Sequence, residues 1–199
     1  MITPSHLIYS WALAKKTANN PVNPAEKHRV AAFILGALLL DIPVYVFFLV
    51  CGVMLDYGHE TLWDDMYFNS GWSVVFTLSH SLLLWPTVLV VARWRQWLFL
   101  KWLSISALFH IVVDFCVHTA DAYKHFWPLS DWRFVSPISY WDRASYGDYV
   151  NAFDSILIVS LLAWLLTTYP RSNIRFLIFG LLALAFARLI MSLLFFTHA

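Results

Sequence analysis

Long apolar runs separated by short polar stretches dominate the chain. Five of them, near residues 30–55, 71–92, 97–119, 152–169 and 174–197, approach or exceed the roughly 20 helical residues that a bilayer core requires. Hydrocarbon offers the backbone no water to bond, so each run predicts a helix rather than a strand. Trp72, Trp97, Trp164 and Tyr169 fall near the run ends, where interfacial aromatics anchor. An earlier apolar run, 7–14, is too short to span. It follows a histidine instead of a basic stretch, and Lys15 and Lys16 stand where a small-residue cleavage site would be, so no cleaved signal peptide is expected. A half-inserted helix beginning near Thr3 to Ser5 is expected instead, with Thr3 or Ser5 as its cap and Pro4 tolerated at its start. The expected fold class is therefore all-α. It is an integral membrane helical bundle of about five transmembrane helices plus the amino-terminal half-inserted helix. Residues 1–199 form a single membrane domain, with one long loop over 120–151.

Composition supports this pattern. The chain is 60% hydrophobic and only 13% charged, too little charge to cover a soluble globule of this length. Its net charge is +1 and its 13 Lys and Arg are scattered, which leaves no continuous basic surface for nucleic acid. Cys51 and Cys116 lie in apolar runs, where buried thiols are the common case. Orientation follows the short loops. Lys15, Lys16, Lys27 and Arg29 precede the first span, Arg93, Arg95 and Lys101 follow the second, and Arg171 and Arg175 separate the last two. The loop after the first span holds Asp56, Glu60, Asp64 and Asp65 and no Lys or Arg. These counts predict a cytoplasmic amino terminus and place 120–151 on the outer side.

Against this apolar background, ionisable residues inside the runs stand out, because each costs several kcal/mol in a bilayer and reads as a functional candidate. Asp41 falls in the first run, His80 in the second, and His110, Asp114 and His118 in the third, with Asp121 just beyond. The last four follow one another at spacings of four, four and three, which places them on one helical stripe. At about 1.5 Å rise per residue, Asp41 lies roughly 18 Å from Arg29, His110 roughly 20 Å from Trp97 and His80 about 14 Å from Gly71. These are similar depths. His6 reaches about 15 Å if Lys15 and Lys16 mark the interface.

Imidazoles and carboxylates at one depth suit a divalent first-row metal such as zinc. The candidate ligands are His6, Asp41, His80, His110 and Asp114. A helical pair at i and i+4 joined by groups from neighbouring helices is a natural arrangement in a bundle. His118 and Asp121 are candidates for a second metal or for supporting contacts, and with Asp114 they are the candidate catalytic groups. Three other readings remain open: interhelical hydrogen bonds, haem ligation by two histidines, and a proton or ion pathway. His28, His59, His125 and His198 lie at or beyond span ends and read as surface groups, with His125 the exception to watch. In the outer segment, Arg133 and Arg143 are placed to pair with a phosphate and Trp132 to sit at headgroup level. The alternative is an interfacial loop whose Asp and Arg pair with each other.

Four short blocks, Ser5-His6, Gly36-Ala37-Leu38-Leu39-x-Asp41-Ile42, Ser79-His80-Ser81 and His110-x-x-x-Asp114 leading into Phe126-Trp127-Pro128-Leu129, resemble the YdjM-like family of LexA-binding, inner-membrane-associated metal-dependent hydrolases. The family's usual Thr-His is Ser5-His6 here, and its Leu-Pro-Asp is Leu39-Leu40-Asp41. Neither change removes a candidate ligand. The resemblance implies an inner-membrane, metal-dependent hydrolase, distantly similar to the zinc-dependent phospholipase C and P1 nuclease group. Its substrate would be a phosphoester or other ester of a membrane lipid. The competing expectation is a non-catalytic accessory subunit of a larger membrane complex, with a structural His/Asp cluster.

Overall fold

The computed structural model describes residues 2–18, 24–169 and 173–196, without the side chains of 24–27 and 191–196. Arg171, His198 and the Lys27 side chain, used or noted above, lie outside the described residues. All regular structure among the described residues is helical. The elements are α1 (Thr3–Lys16), α2 (Pro24–Phe47), two π-helical stretches (Phe48–Met54 and Thr61–Met66), α3 (Tyr67–Asn69), α4 (Gly71–Ser79), α5 (Leu84–Trp94), α6 (Leu98–Phe115), a 3-10 turn (Arg143–Ser145), α7 (Gly147–Thr168) and α8 (Ile174–Phe196).

Three segments, His28–Met54, Leu98–Phe115 and Gly147–Thr168, are long and apolar enough to cross a membrane, and the bent pair α4 and α5 makes a fourth if counted as one span. Large apolar side chains such as Val90, Val112 and Phe153 on these segments, and Phe176 and Leu184 on α8, are more than half exposed. Exposed apolar surface on that scale marks contact with lipid or with another apolar partner. Between the helices, α2 and α6 pack tightly through small residues, as membrane helices do in the absence of a hydrophobic driving force. A Cβ on Gly36 would stand 2.3 Å from the Leu103 carbonyl oxygen and 2.8 Å from Ser106 Cβ. Only glycine permits this approach. Ser106 Oγ contacts both the Phe33 carbonyl (2.6 Å) and Ser10 Oγ (3.0 Å), joining α6 to α2 and α1.

The second apolar run departs from expectation. It is not one helix through His80 but two, bent by 44° at a break. Pro86 supplies the reason: it has no N–H for the Leu82 carbonyl, and its ring clashes with a helix continuing through that residue. Side chains take up the freed groups. Trp85 Nε1 donates to the Ser79 carbonyl at 2.7 Å, and Ser81 Oγ accepts from the N–H groups of Leu83 and Leu84. The Leu82 N–H reaches the His125 carbonyl in the outer segment at 2.8 Å.

Helix α1 also corrects a detail. Neither Thr3 nor Ser5 caps it, and its N-cap, Ile2, makes no side-chain cap bond. Both hydroxyls turn to carboxylates instead, Thr3 Oγ1 to the partly buried Asp41 (2.5 Å) and Ser5 Oγ to the buried Asp154 (2.8 Å). A charged acceptor makes the stronger hydrogen bond. At the other end Lys15 and Lys16 complement the helix dipole.

Candidate metal centre

Four helical segments and the turn beyond α6 converge on one carboxylate, Asp114, whose side chain is 3% exposed. His6 comes from α1, Asp41 from α2, His80 from the break between α4 and α5, and His110 lies one turn before Asp114 on α6. The helix bend is what aims His80 inward. Two sets of ligand atoms lie close enough to share an ion: His6, His110 and Asp114, and Asp41, His80 and His110.

The hydrogen bonds around the rings fix what each presents to the centre. His110 Nδ1 lies 2.8 Å from the Ala37 carbonyl, and His80 Nδ1 lies 2.9 Å from the Phe76 carbonyl. A carbonyl only accepts, so each Nδ1 carries a proton, and in the neutral form of either ring the lone pair of Nε2 is turned to the centre. Those lone pairs face carboxylate oxygens. His110 Nε2 is 3.1 Å from Asp114 Oδ2 and 3.6 Å from Asp41 Oδ1, while His80 Nε2 is 3.8 Å and 4.0 Å from the same two atoms. In the neutral form these acceptors face acceptors in a buried space, an arrangement that a cation between them would satisfy. A proton accounts poorly for His80, because 3.8–4.0 Å is beyond hydrogen-bond range and its Nε2 has no partner. An ion with bonds of about 2.1 Å holds neighbouring ligands roughly 3.0–3.5 Å apart, close to the spacings here. Donation of Nδ1–H to a carbonyl is also the usual support of a metal-bound imidazole.

The other carboxylate oxygen of Asp114 faces a second pair. His6 Nε2 lies 2.9 Å and His118 Nε2 3.3 Å from Oδ1. The His6 ring stacks on that of His110, with centroids 3.6 Å apart and planes 3° from parallel, so the two Nε2 atoms address the two oxygens of one carboxylate. His118 lies in the turn just beyond α6, and its Nδ1 is 2.8 Å from Asp121 Oδ2. Burial favours the uncharged forms of both groups, but the Asp114 carboxylate, with Asp121 after it, holds the His118 imidazole above its ordinary value, and His118 holds the Asp121 carboxyl below its own. Tyr123 covers the opposite side of His80, stacked at 3.9 Å, and its hydroxyl meets that of Tyr67 at 3.0 Å.

All five sequence-predicted ligands, together with His118 and Asp121, thus gather at one place. The predicted substrate contacts do not all do so. Arg133 lines a cavity of about 600 Å³ whose wall includes Asp121, Tyr123, Lys124 and Asp131. Trp132, half exposed, rests against Phe115 and Phe126. Arg143 lies against Asp148 at 3.3 Å, and Lys124 pairs with Asp131 at 2.8 Å, the internal pairing an interfacial loop would show. His28 and His59 are exposed as expected. His125 is buried, with Nδ1 at 3.4 Å from the His80 carbonyl.

A second buried polar group was not anticipated from the sequence. Asp154, 1% exposed in α7, accepts from Ser5, Tyr9 and Arg188. The signal was present, since Arg188 is a charged residue deep in the fifth apolar run and Asp154 one just inside the start of the fourth. No protein-family model, curated protein or solved structure matches the chain.

Proposed function

We propose that the chain is a five-span inner-membrane protein, amino terminus cytoplasmic, that binds a divalent metal and hydrolyses a phosphoester or other ester of a membrane lipid. The observation that carries the metal is the pair of imidazoles, His80 and His110, whose Nδ1 atoms are committed to carbonyls and whose Nε2 lone pairs face Asp41 and Asp114. Asp114 turns Oδ2 to His110 and His80 and Oδ1 to His6 and His118, and the two candidate ligand sets share His110, an arrangement suited to one or two ions. Imidazole and carboxylate donors fit zinc among the first-row metals. When bound, such an ion lowers the pKa of water and polarises an ester oxygen.

The chain's own residues supply the rest. Asp121 orients His118 toward Asp114, so that His118 either holds a second ion or takes and returns a proton at Nε2. The cavity that reaches Asp121 receives the polar part of the substrate, with Arg133 facing its phosphate. The resemblance to YdjM-like proteins supports hydrolysis as the reaction class, by analogy of motifs alone. Burial of nearly every ligand favours one rival, a non-catalytic subunit of a membrane complex whose metal is structural.

Purified protein is to be assayed for metal and for release of phosphate or fatty acid from labelled phospholipid, beside Asp114→Asn and His118→Ala. Metal-dependent turnover, lost in both variants, is expected. Stoichiometric metal without turnover on any lipid ester would leave the structural-subunit reading.

A further inference from the structure

Helix α1 carries His6 into the membrane-facing bundle, yet it is only 14 residues long and has no side-chain cap. Something must fix its depth and rotation, because a metal ligand displaced by about 1 Å no longer meets its ion. The residues flanking His6 on α1 show what does so. Ser5, immediately before it, donates from Oγ to Asp154 Oδ2 at 2.8 Å, and Tyr9, three residues on, donates its hydroxyl to Asp154 Oδ1. Asp154 is held in turn by Arg188 of α8, whose Nη1 lies 2.7 Å from Oδ2 and whose Nη2 lies 2.9 Å from Asn151 Oδ1. Both carboxylate oxygens are engaged, and the network joins α1, α7 and α8.

Stability alone is a weak explanation for a buried ion pair, since apolar residues of similar volume are commonly as stable or more so. An ion pair does supply direction: the Asp154 carboxylate, held by Arg188 at 2.7 Å, offers two acceptor oxygens at fixed positions. Apolar packing between α1 and α7, through Ile8, Trp11, Ile158 and Leu162, has no comparable preference for one rotation. We propose that Asp154, held by Arg188, is a positioning residue that clamps Ser5 and Tyr9 and thereby sets His6 against Asp114. This inference rests on the metal-binding reading above.

The test is cobalt(II) binding to detergent-solubilised full-length protein, followed by titration and by the visible ligand-field spectrum. Three variants release the clamp to different degrees: Asp154→Asn, the double variant Asp154→Leu with Arg188→Met, and the double variant Ser5→Ala with Tyr9→Phe. The last leaves the ion pair intact and removes two hydroxyls only, so the fold is retained. Leu162→Ala, which opens the same α1–α7 interface without touching the clamp, is the control for general loosening. The expected result is cobalt affinity weakened roughly 10–100-fold in the clamp variants, the usual range for residues that orient a ligand, with an altered spectrum from loss or displacement of the His6 imidazole. Leu162→Ala is expected to lower the melting temperature while keeping wild-type affinity and spectrum. Wild-type binding in folded clamp variants, or equal weakening in Leu162→Ala, would overturn the positioning role. Absence of cobalt binding by the wild type would instead overturn the metal reading itself.

Discussion

Replacing Gly36 by alanine tests how the packing of α2 on α6 makes the centre. The added Cβ would lie 2.3 Å from the Leu103 carbonyl oxygen and 2.8 Å from Ser106 Cβ. The first of these is backbone, which cannot swing aside. Restoring ordinary contact requires the helices to part by about 1 Å, and the same movement draws the Ala37 carbonyl away from His110 Nδ1, now 2.8 Å distant. That bond would stretch beyond hydrogen-bond range. Overpacking costs about 1–3 kcal/mol and loss of the bond about 1 kcal/mol more, offset by roughly 1 kcal/mol of helix propensity gained on leaving glycine. A net loss of about 1–3 kcal/mol remains. Because the lost bond orients a ligand, metal affinity should fall by roughly 10–100-fold. Thermal unfolding in detergent reads the first effect and a competitive chelator titration the second. Wild-type melting and wild-type affinity in Gly36→Ala would refute the packing argument. A stability loss without an affinity loss would refute the coupling of that packing to His110.

Three further outcomes are expected. His110→Gln and Asp114→Asn should lose metal more than tenfold while keeping their helical circular dichroism, because each removes atoms of the convergent set without emptying the core; a collapse of helicity would indicate a structural role instead. Stripping metal with a chelator should lower the melting temperature, and excess metal should restore it, since a ligand at about 1,000 times its Kd stabilises by about 4 kcal/mol; an unchanged midpoint would contradict a metal held by the folded state. Arg133→Ala should raise KM for a phospholipid with metal content unchanged, while Arg143→Ala, at a site already paired with Asp148, should leave KM alone; equal effects would remove Arg133 from the substrate cavity.

Much of the site was legible in the sequence because membranes make buried polar residues conspicuous. Asp41, His80, His110 and Asp114 each interrupt an apolar run, and helix rise alone placed three of them at similar depth. The break at His80 was less visible. Hydropathy averages over Pro86, and only its missing N–H, six residues past His80, announces that the helix cannot continue. Asp154 and Arg188 were equally conspicuous as charges in apolar runs, but nothing in their spacing relates them to each other or to Ser5 and Tyr9. Their partnership across 34 residues is a product of tertiary packing. The same holds for the tautomers of His80 and His110, which depend on carbonyls of Phe76 and Ala37 that no side-chain pattern can reveal.

X-ray absorption spectroscopy at the metal edge of the purified protein, combined with its metal-to-protein ratio, tests the central claim most directly. The account predicts at least one tightly held divalent ion per chain, with nitrogen and oxygen neighbours at about 2.0–2.2 Å and outer-shell scattering from two or more imidazoles. Both features should disappear in a His80→Ala, His110→Ala double variant. Protein purified without chelators that holds no stoichiometric metal, or metal that lacks imidazole scattering, would contradict it.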